Sequence, residues 1–332
     1  MAARPQPRRR ASSAEPLEQV RLVVKVAQMY HERRLNQSDI AARLGLSQAR
    51  VSRLLKLAGE QGIVRTTVHV PAGVFTGIER ALEERYGASE IVVVDTSGAR
   101  DEEVIPALAP SAAAFLEGVV GACETIGISS WSETLLATVE AMHPLRQAST
   151  RYVVQVLGGV GRPGSQGYAT RLTERLAVVC HAQPVFLLGP GIVGTPGARQ
   201  TLLRDPHFAE VVAYYDHLSM ILTGIGGLAT PSRLLRESQD VMSAEDHREL
   251  SSRGAVGEIC FRFFDEQGRV VQSSLDARVI GVTYEQLHRT PRTAAVAGGT
   301  RKFNAIRAAL RGRWVDTLIT DLSTAERLLR DP

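Results

Sequence analysis

Two groups of residues in this 332-residue chain have the types and spacing to do chemistry. The first lies between Asn36 and Arg65, NQSDIAARLGLSQARVSRLLKLAGEQGIVR. Gln48, Arg50, Ser52, Arg53 and Lys56 recur there on one side of a helical repeat. A guanidinium such as Arg50 or Arg53 can bond both acceptors of a guanine edge, and an amide such as Gln48 can bond an adenine edge. Lys56 suits phosphate. Gln37 and Ser47, at the starts of the two helical stretches, complete this candidate set.

The second group is spread over four junctions further on. Ser129, Ser130, Ser132 and Thr134 concentrate hydroxyls and backbone N–H groups at a helix start, which suits an anion or a polyol. Glu133 in the same loop favours sugar hydroxyls over phosphate. Gly158, Gly159 and Gly161 in LGGVGR, and Gly224 and Gly226 in TGIGG, would let a ligand approach the backbone closely. Lys302 in AGGTRK is the only lysine after Lys56 in a chain that otherwise uses arginine. A retained lysine at a Gly-rich helix start points to a task that needs a compact ammonium. Asp265 could accept hydroxyls, or could equally close the DEQGR turn.

The elements that must position the first group carry clear punctuation. Asn36 can cap a helix whose apolar side is Ile40, Ala41 and Leu44, with Gly45 where a left-handed residue ends it. Leu46 can tuck between the helices, and Ser47 can cap a second helix with Val51, Leu54 and Leu55 inward. This is a helix-turn-helix, the motif whose second helix enters the major groove. A preceding helix is expected over 17–33, with Val20, Val23, Val24, Ala27 and Met29–Tyr30 on its apolar side. Alternation over 63–70 suggests a small wing, with Arg65 available to the DNA backbone.

From Ile91 onward short apolar runs alternate with helical stretches. Strands are expected over 91–95, 124–129, 152–158, 184–189, 218–226, 258–264, 278–282, 293–299 and 315–321. Helices are expected over 108–122, 132–142, 168–182, 243–253, 301–311 and 322–330. That alternation predicts an α/β domain with a mostly parallel, covered sheet. Ligands of such sheets bind at the carboxyl ends of the strands, where the four junctions fall.

Charge is unevenly placed. The net charge is +4, yet residues 1–75 hold 13 Lys and Arg against 5 Asp and Glu, leaving 26 against 30 for the rest. A basic head on a mildly acidic body is the layout expected when only the head meets phosphate. The three cysteines, Cys123, Cys180 and Cys260, are too far apart to suggest a metal site or a disulfide framework. No apolar run approaches the roughly 18–20 residues a membrane span needs. The basic, Pro- and Ser-rich N-terminus lacks the apolar core of a secretion signal. A cytoplasmic protein with no metal and no cofactor is expected, since TGIGG is followed by TPS rather than by a dinucleotide fingerprint.

The helix-turn-helix at 36–57, together with GISSWSETL, GEICFRFFDEQGR (257–269), RVIGVTYEQL (278–287) and AVAGGTRKFNAIRAALRGRWVDTLITD (295–321), resembles the SorC family of bacterial sugar-responsive transcription regulators. The resemblance runs from about Leu17 to Leu329. It implies a winged helix-turn-helix domain ahead of a larger α/β domain similar to sugar-phosphate isomerases and deaminases. It also implies a double-stranded, palindromic DNA operator, a sugar, polyol or sugar-phosphate effector, and a homodimer or homotetramer. The expected organisation is a disordered basic arm (1–16), a DNA-binding domain (17–72), a linker helix (73–90) and an effector domain (91–332). This chain departs from the family pattern in carrying Ser132 where Gly is common and Leu157 where Asn is common.

The rival reading is a sugar-phosphate isomerase or deaminase with a DNA-binding head. Such chemistry needs a carboxylate base, often with a histidine nearby. The stretch after the third glycine loop offers Leu228, Ala229 and Thr230 instead, so no turnover is expected. The expected mechanism is linkage: an effector that prefers one arrangement of the body shifts the pairing of the heads on half-sites.

Overall fold

The computed structural model describes residues 15–64, 73–96, 99, 101, 103–129, 131–159, 163–229 and 242–331. The chain divides into two compact units, Met1–His69 and Val70–Pro332. The N-terminal arm up to residue 14 and the wing stretch from Arg65 on lie outside the described residues.

The first unit holds α1 (Glu15–His31), α2 (Gln37–Leu44) and α3 (Gln48–Glu60). Their shared core is Val23, Val26, Ala27, Met29, Ile40, Ala41, Val51, Leu54 and Ala58. On α1 the inward stripe therefore includes Val26, whereas Val20 and Tyr30, expected inward, are exposed. The Asn36 side chain accepts the Asp39 N–H at 2.9 Å and starts α2. Gly45 ends it at φ 65°, with its N–H on Ala41 O. The Leu46 N–H shares that carbonyl at 2.9 Å. This left-handed turn reverses the chain within three residues and sets α3 across α2.

The second unit is built on a seven-stranded parallel sheet. Its strands are β1 (Glu90–Val94), β2 (Thr125–Ile128), β3 (Tyr152–Gln155), β4 (Gln183–Val185), β5 (Met220–Thr223), β10 (Thr293–Val296) and β11 (Thr317–Asp321), in the order β1-β11-β10-β5-β2-β3-β4. The central strands are apolar at successive positions because both faces are covered. One face packs α5 (Val104–Val120), α6 (Glu133–Ala141) and α7 (Pro163–Cys180). The other packs α4 (Thr76–Tyr86), α11 (Tyr284–Arg289), α12 (Phe303–Arg311) and α13 (Leu322–Arg330). Rather than running free as a connector, α4 lies along the edge strand β1. Its Glu83 and Glu79 carboxylates accept the Ile91 and Val93 N–H groups, each at 2.9 Å. Paired carboxylates thus cover half of the open edge.

A second, antiparallel sheet, β6-β7-β8-β9, was not expected from the sequence. It joins β6 (Gly226–Gly227), β7 (Ala255–Ile259), β8 (Arg262–Asp265) and β9 (Val270–Val271). The run 258–264, read as one strand, is a hairpin in which Ile259 pairs Arg262 across Cys260 and Phe261. Both turn residues have positive φ, 53° and 58°. That is the backbone of a tight primed hairpin turn, which usually recruits Asn and Gly. The run 218–226 breaks at Gly224–Ile225, so that its end joins the second sheet. The run 278–282 forms no regular strand and makes only single bridges, Gly281 to Leu157 and Val279 to Ile192. Two further helices, α8 (Pro196–Arg204) and α9 (Pro206–Ala213), fill a stretch left unassigned, and α10 (Ala244–Ser252) precedes β7.

Candidate functional site

On the first unit, α3 presents two opposite faces. Val51, Leu54 and Ala58 are buried, whereas Ser47, Gln48, Arg50, Ser52, Arg53 and Lys56 are exposed and Gln37 is half-buried at the start of α2. The Ser47 hydroxyl accepts the Arg50 N–H at 3.3 Å, so it serves as the helix cap. The Arg53 guanidinium leans on Ala49 O at 3.3 Å. Lys56 lies 3.8 Å from Glu60, with both side chains mostly exposed. Such a surface pair contributes little, so a phosphate can displace it at small cost.

On the second unit, a cavity of about 690 Å³ opens at the carboxyl ends of β2, β5 and β10, beside the β7–β8 hairpin. Ser129, Ser132, Thr134, Gly224, Gly226 and Lys302 from the sequence set line it together. The Ser129 N–H donates to Leu222 O at 2.9 Å. The Ser132 hydroxyl accepts the Leu135 N–H at 3.1 Å and caps α6. A Cβ on Gly224 would stand 2.7 Å from that hydroxyl, so only glycine lets the third loop pass the first.

Three other expectations come out differently. Gly158 and Gly159 do not line the cavity. A Cβ at Gly158 would collide with the Pro190–Gly191 backbone, and Gly159 bridges Pro190, so these glycines let two segments of the backbone pack closely. Asp265 also lies outside the cavity and closes its own turn. It accepts the Gln267 and Arg269 N–H groups at 2.9 Å and Arg269 Nε at 2.8 Å. Desolvation acts upward on this carboxyl, but the Arg269 backbone and side chain hold it below the ordinary aspartate range. Ser130 and Gly161 lie outside the described residues.

The structure adds residues that sequence reasoning missed. Glu258, Cys260, Phe261 and Trp131 all line the cavity. The Glu258 carboxylate accepts the Phe261 N–H at 2.8 Å and so ties down the left-handed turn. Its surroundings are protein on most sides although the cavity reaches it. Burial raises its carboxyl pKa, against the opposing pull of the Phe261 N–H and Lys302. Burial lowers the pKa of Lys302, while Glu258 and Glu133 act in the opposite direction. Burial also pushes the Cys260 thiol up to about 12, which leaves it protonated and unreactive near neutrality. Trp131 Nε1 donates to Gly158 O at 3.1 Å and fixes the indole in the wall. At the rim, Asp101 accepts the Thr300 N–H and hydroxyl at 2.9 Å and Arg301 Nε at 3.1 Å.

A helix-turn-helix with an exposed basic recognition helix, in one chain with an α/β domain holding a polar, aromatic-walled cavity, defines a ligand-responsive DNA-binding regulator. Residues 73–330 match the family described as "Putative sugar-binding domain". The sorbitol operon regulator of Klebsiella pneumoniae is 29% identical over 320 residues, covering 95% of this chain and 100% of that protein. Its full-length crystal structure superposes with a TM-score of 0.70 at 28% identity, over 94% of this chain and 99% of the other. The deoxyribonucleoside regulator of Bacillus subtilis is 29% identical over 314 residues, covering 95% and 99%. The chain belongs to this sugar-binding domain family and is similar over nearly its whole length to the sorbitol operon regulator. Among the described residues, no helix is long and apolar enough to cross a membrane.

Proposed function

We infer that α3 reads an operator through Gln48, Arg50, Ser52 and Arg53, with Lys56, Ser47 and Gln37 against the backbone, and that a sugar, polyol or sugar phosphate in the cavity controls the strength of that grip. Binding to a chromosomal operator places the protein in the cytoplasm. A homodimer or homotetramer pairs the heads on a palindromic site. The observation that carries this reading is the cavity itself, where hydroxyl, ammonium and carboxylate groups converge between aromatic walls. Ligand sites combine an apolar wall with a few placed polar groups in this way.

The enzymatic alternative gains one element, because Glu258 supplies a carboxylate beside Lys302 that the third glycine loop lacks. It still lacks a histidine among the described lining residues. The matched relatives carry the names of regulators. We therefore read the site as a receptor. A mobility-shift titration with duplexes from the gene's own neighbourhood, with and without carbohydrate, tests the reading. Conversion of a sugar phosphate to product under the same conditions would overturn it.

A further inference from the structure

We propose that Phe261 is the size selector of the cavity: its ring fills space that a bulkier carbohydrate would need, so this side chain sets the largest effector the chain accepts. This rests on the carbohydrate reading above and adds a specificity-determining residue to it.

The backbone leads there. Phe261 sits at φ 58° in the β7–β8 turn, beside Cys260 at 53°. A bulky residue at positive φ is a genuine outlier. Such outliers persist only where the surroundings over-determine them, and they gather at ligand sites. Turn formation does not call for phenylalanine, since Asn or Gly adopts the same backbone with less strain. Other groups hold the turn. Ile259 pairs Arg262 across it, and the Glu258 carboxylate accepts the Phe261 N–H at 2.8 Å. Neither contact uses the ring, so the turn does not depend on it.

The ring's surroundings supply the reason for keeping it. Phe261 is 2% exposed and belongs to one apolar cluster with Trp131, Leu157 and Phe263. All four line the cavity. Leu228 and Met242 pack against the same cluster and line the cavity too. The cluster is therefore the apolar wall of the ligand site. Within it, Trp131 is anchored by its Nε1 bond to Gly158 O at 3.1 Å, and Phe263 is a regular residue of β8. Phe261 differs: a glycine in its place would keep both turn contacts and relieve the left-handed strain. The wall would relax only partly into the vacated space, and what remained open would join the cavity.

The test uses the full chain and a size-graded panel: erythritol, ribitol, sorbitol, glucose, maltose and maltotriose. Thermal shift ranks the panel and calorimetry measures the binders. The wild type should show a size limit within the panel. Phe261→Gly should move that limit upward, with a gain of about tenfold or more for the next larger member, and should weaken the wild type's best ligand several-fold. Phe261→Leu, which keeps most of the apolar fill, should shift the limit the same way by less, and it carries the test if the glycine variant does not fold. A wild type that binds maltotriose as tightly as its smaller ligands has no size limit and overturns the proposal. So does an unchanged limit in a folded variant, and both results leave the carbohydrate reading intact. Failure of every member to bind wild type and variant alike sinks the carbohydrate reading, and the proposal with it.

Discussion

Gly226 makes room for Glu258: a methyl group on that glycine would overlap the carboxylate. The two residues come from different strands, β6 and β7, paired antiparallel with Gly226 opposite Glu258. A glycine that looks in sequence like a backbone approach for ligand is therefore also the niche of an acidic side chain. Gly226→Ala should displace Glu258, weaken effector binding at least tenfold, and cost roughly 1–3 kcal/mol as an overpacking change. Calorimetric titration with the ligand identified by screening checks it, and an Ala variant with unaltered affinity would contradict the niche.

Arg50→Ala and Arg53→Ala remove exposed side chains from α3. Each should cost about 1–3 kcal/mol of operator affinity if its guanidinium reads a base edge. Stability should stay within about 0.5 kcal/mol, as for surface changes elsewhere. Anisotropy titrations in defined salt measure the first effect and urea unfolding the second. Normal operator binding by both variants would remove α3 as the reading helix.

Gly45 holds φ 65° at the end of α2, and a Cβ there meets no neighbouring atom. Gly45→Ala should therefore suffer only backbone strain, about 1–2 kcal/mol. The transition of the first unit should move to lower denaturant without a change in slope. A stability equal to wild type would show that the turn is not held left-handed in solution.

The raised pKa of Glu258 makes a signed prediction. Its ordinary value is 4.5, and burial, the largest cause, moves it upward in the folded state. Between the two values the folded chain binds more protons than the unfolded chain, so stability falls as pH rises through that window. Glu258→Gln cannot ionise. In the absence of ligand it should match the wild type's pH response below 4.5 and become progressively more stable than wild type above it. Denaturant melts across pH 4 to 8 measure the difference. A gap that narrows with rising pH would mean the carboxylate is net stabilised in the fold.

Much of the fold was legible because its signals are local. Asn36, Gly45 and Ser47 determine helix ends through their own side chains or backbone, and all three act as read. The apolar runs of the central strands β2, β5, β10 and β11 are buried on both faces and needed no partner to be recognised. The β7–β8 hairpin was hidden because Cys260 and Phe261 occupy a turn without Gly or Asn, so no turn residue marks the reversal. The helices α8 and α9 had a usable signal in Thr195-Pro196 and Asp205-Pro206, a cap followed by proline at the first helical position. At the cavity, hydroxyls and Lys302 stood out by type. Glu258 did not, because its role depends on a second sheet folding back over β5. Asp265 and Gly158 misled for the complementary reason: turn closure and chain packing use the same residue types as ligand contact.

The central claim is that a ligand in the cavity alters the hold of α3 on DNA. The direct measurement is the affinity of the full chain for a duplex from its own gene neighbourhood, across a salt series, with and without a saturating carbohydrate found by thermal shift. The account predicts binding that weakens steeply with salt and changes at least fivefold when the carbohydrate is present. Salt-independent binding, or an operator affinity indifferent to a carbohydrate that occupies the cavity, would contradict it.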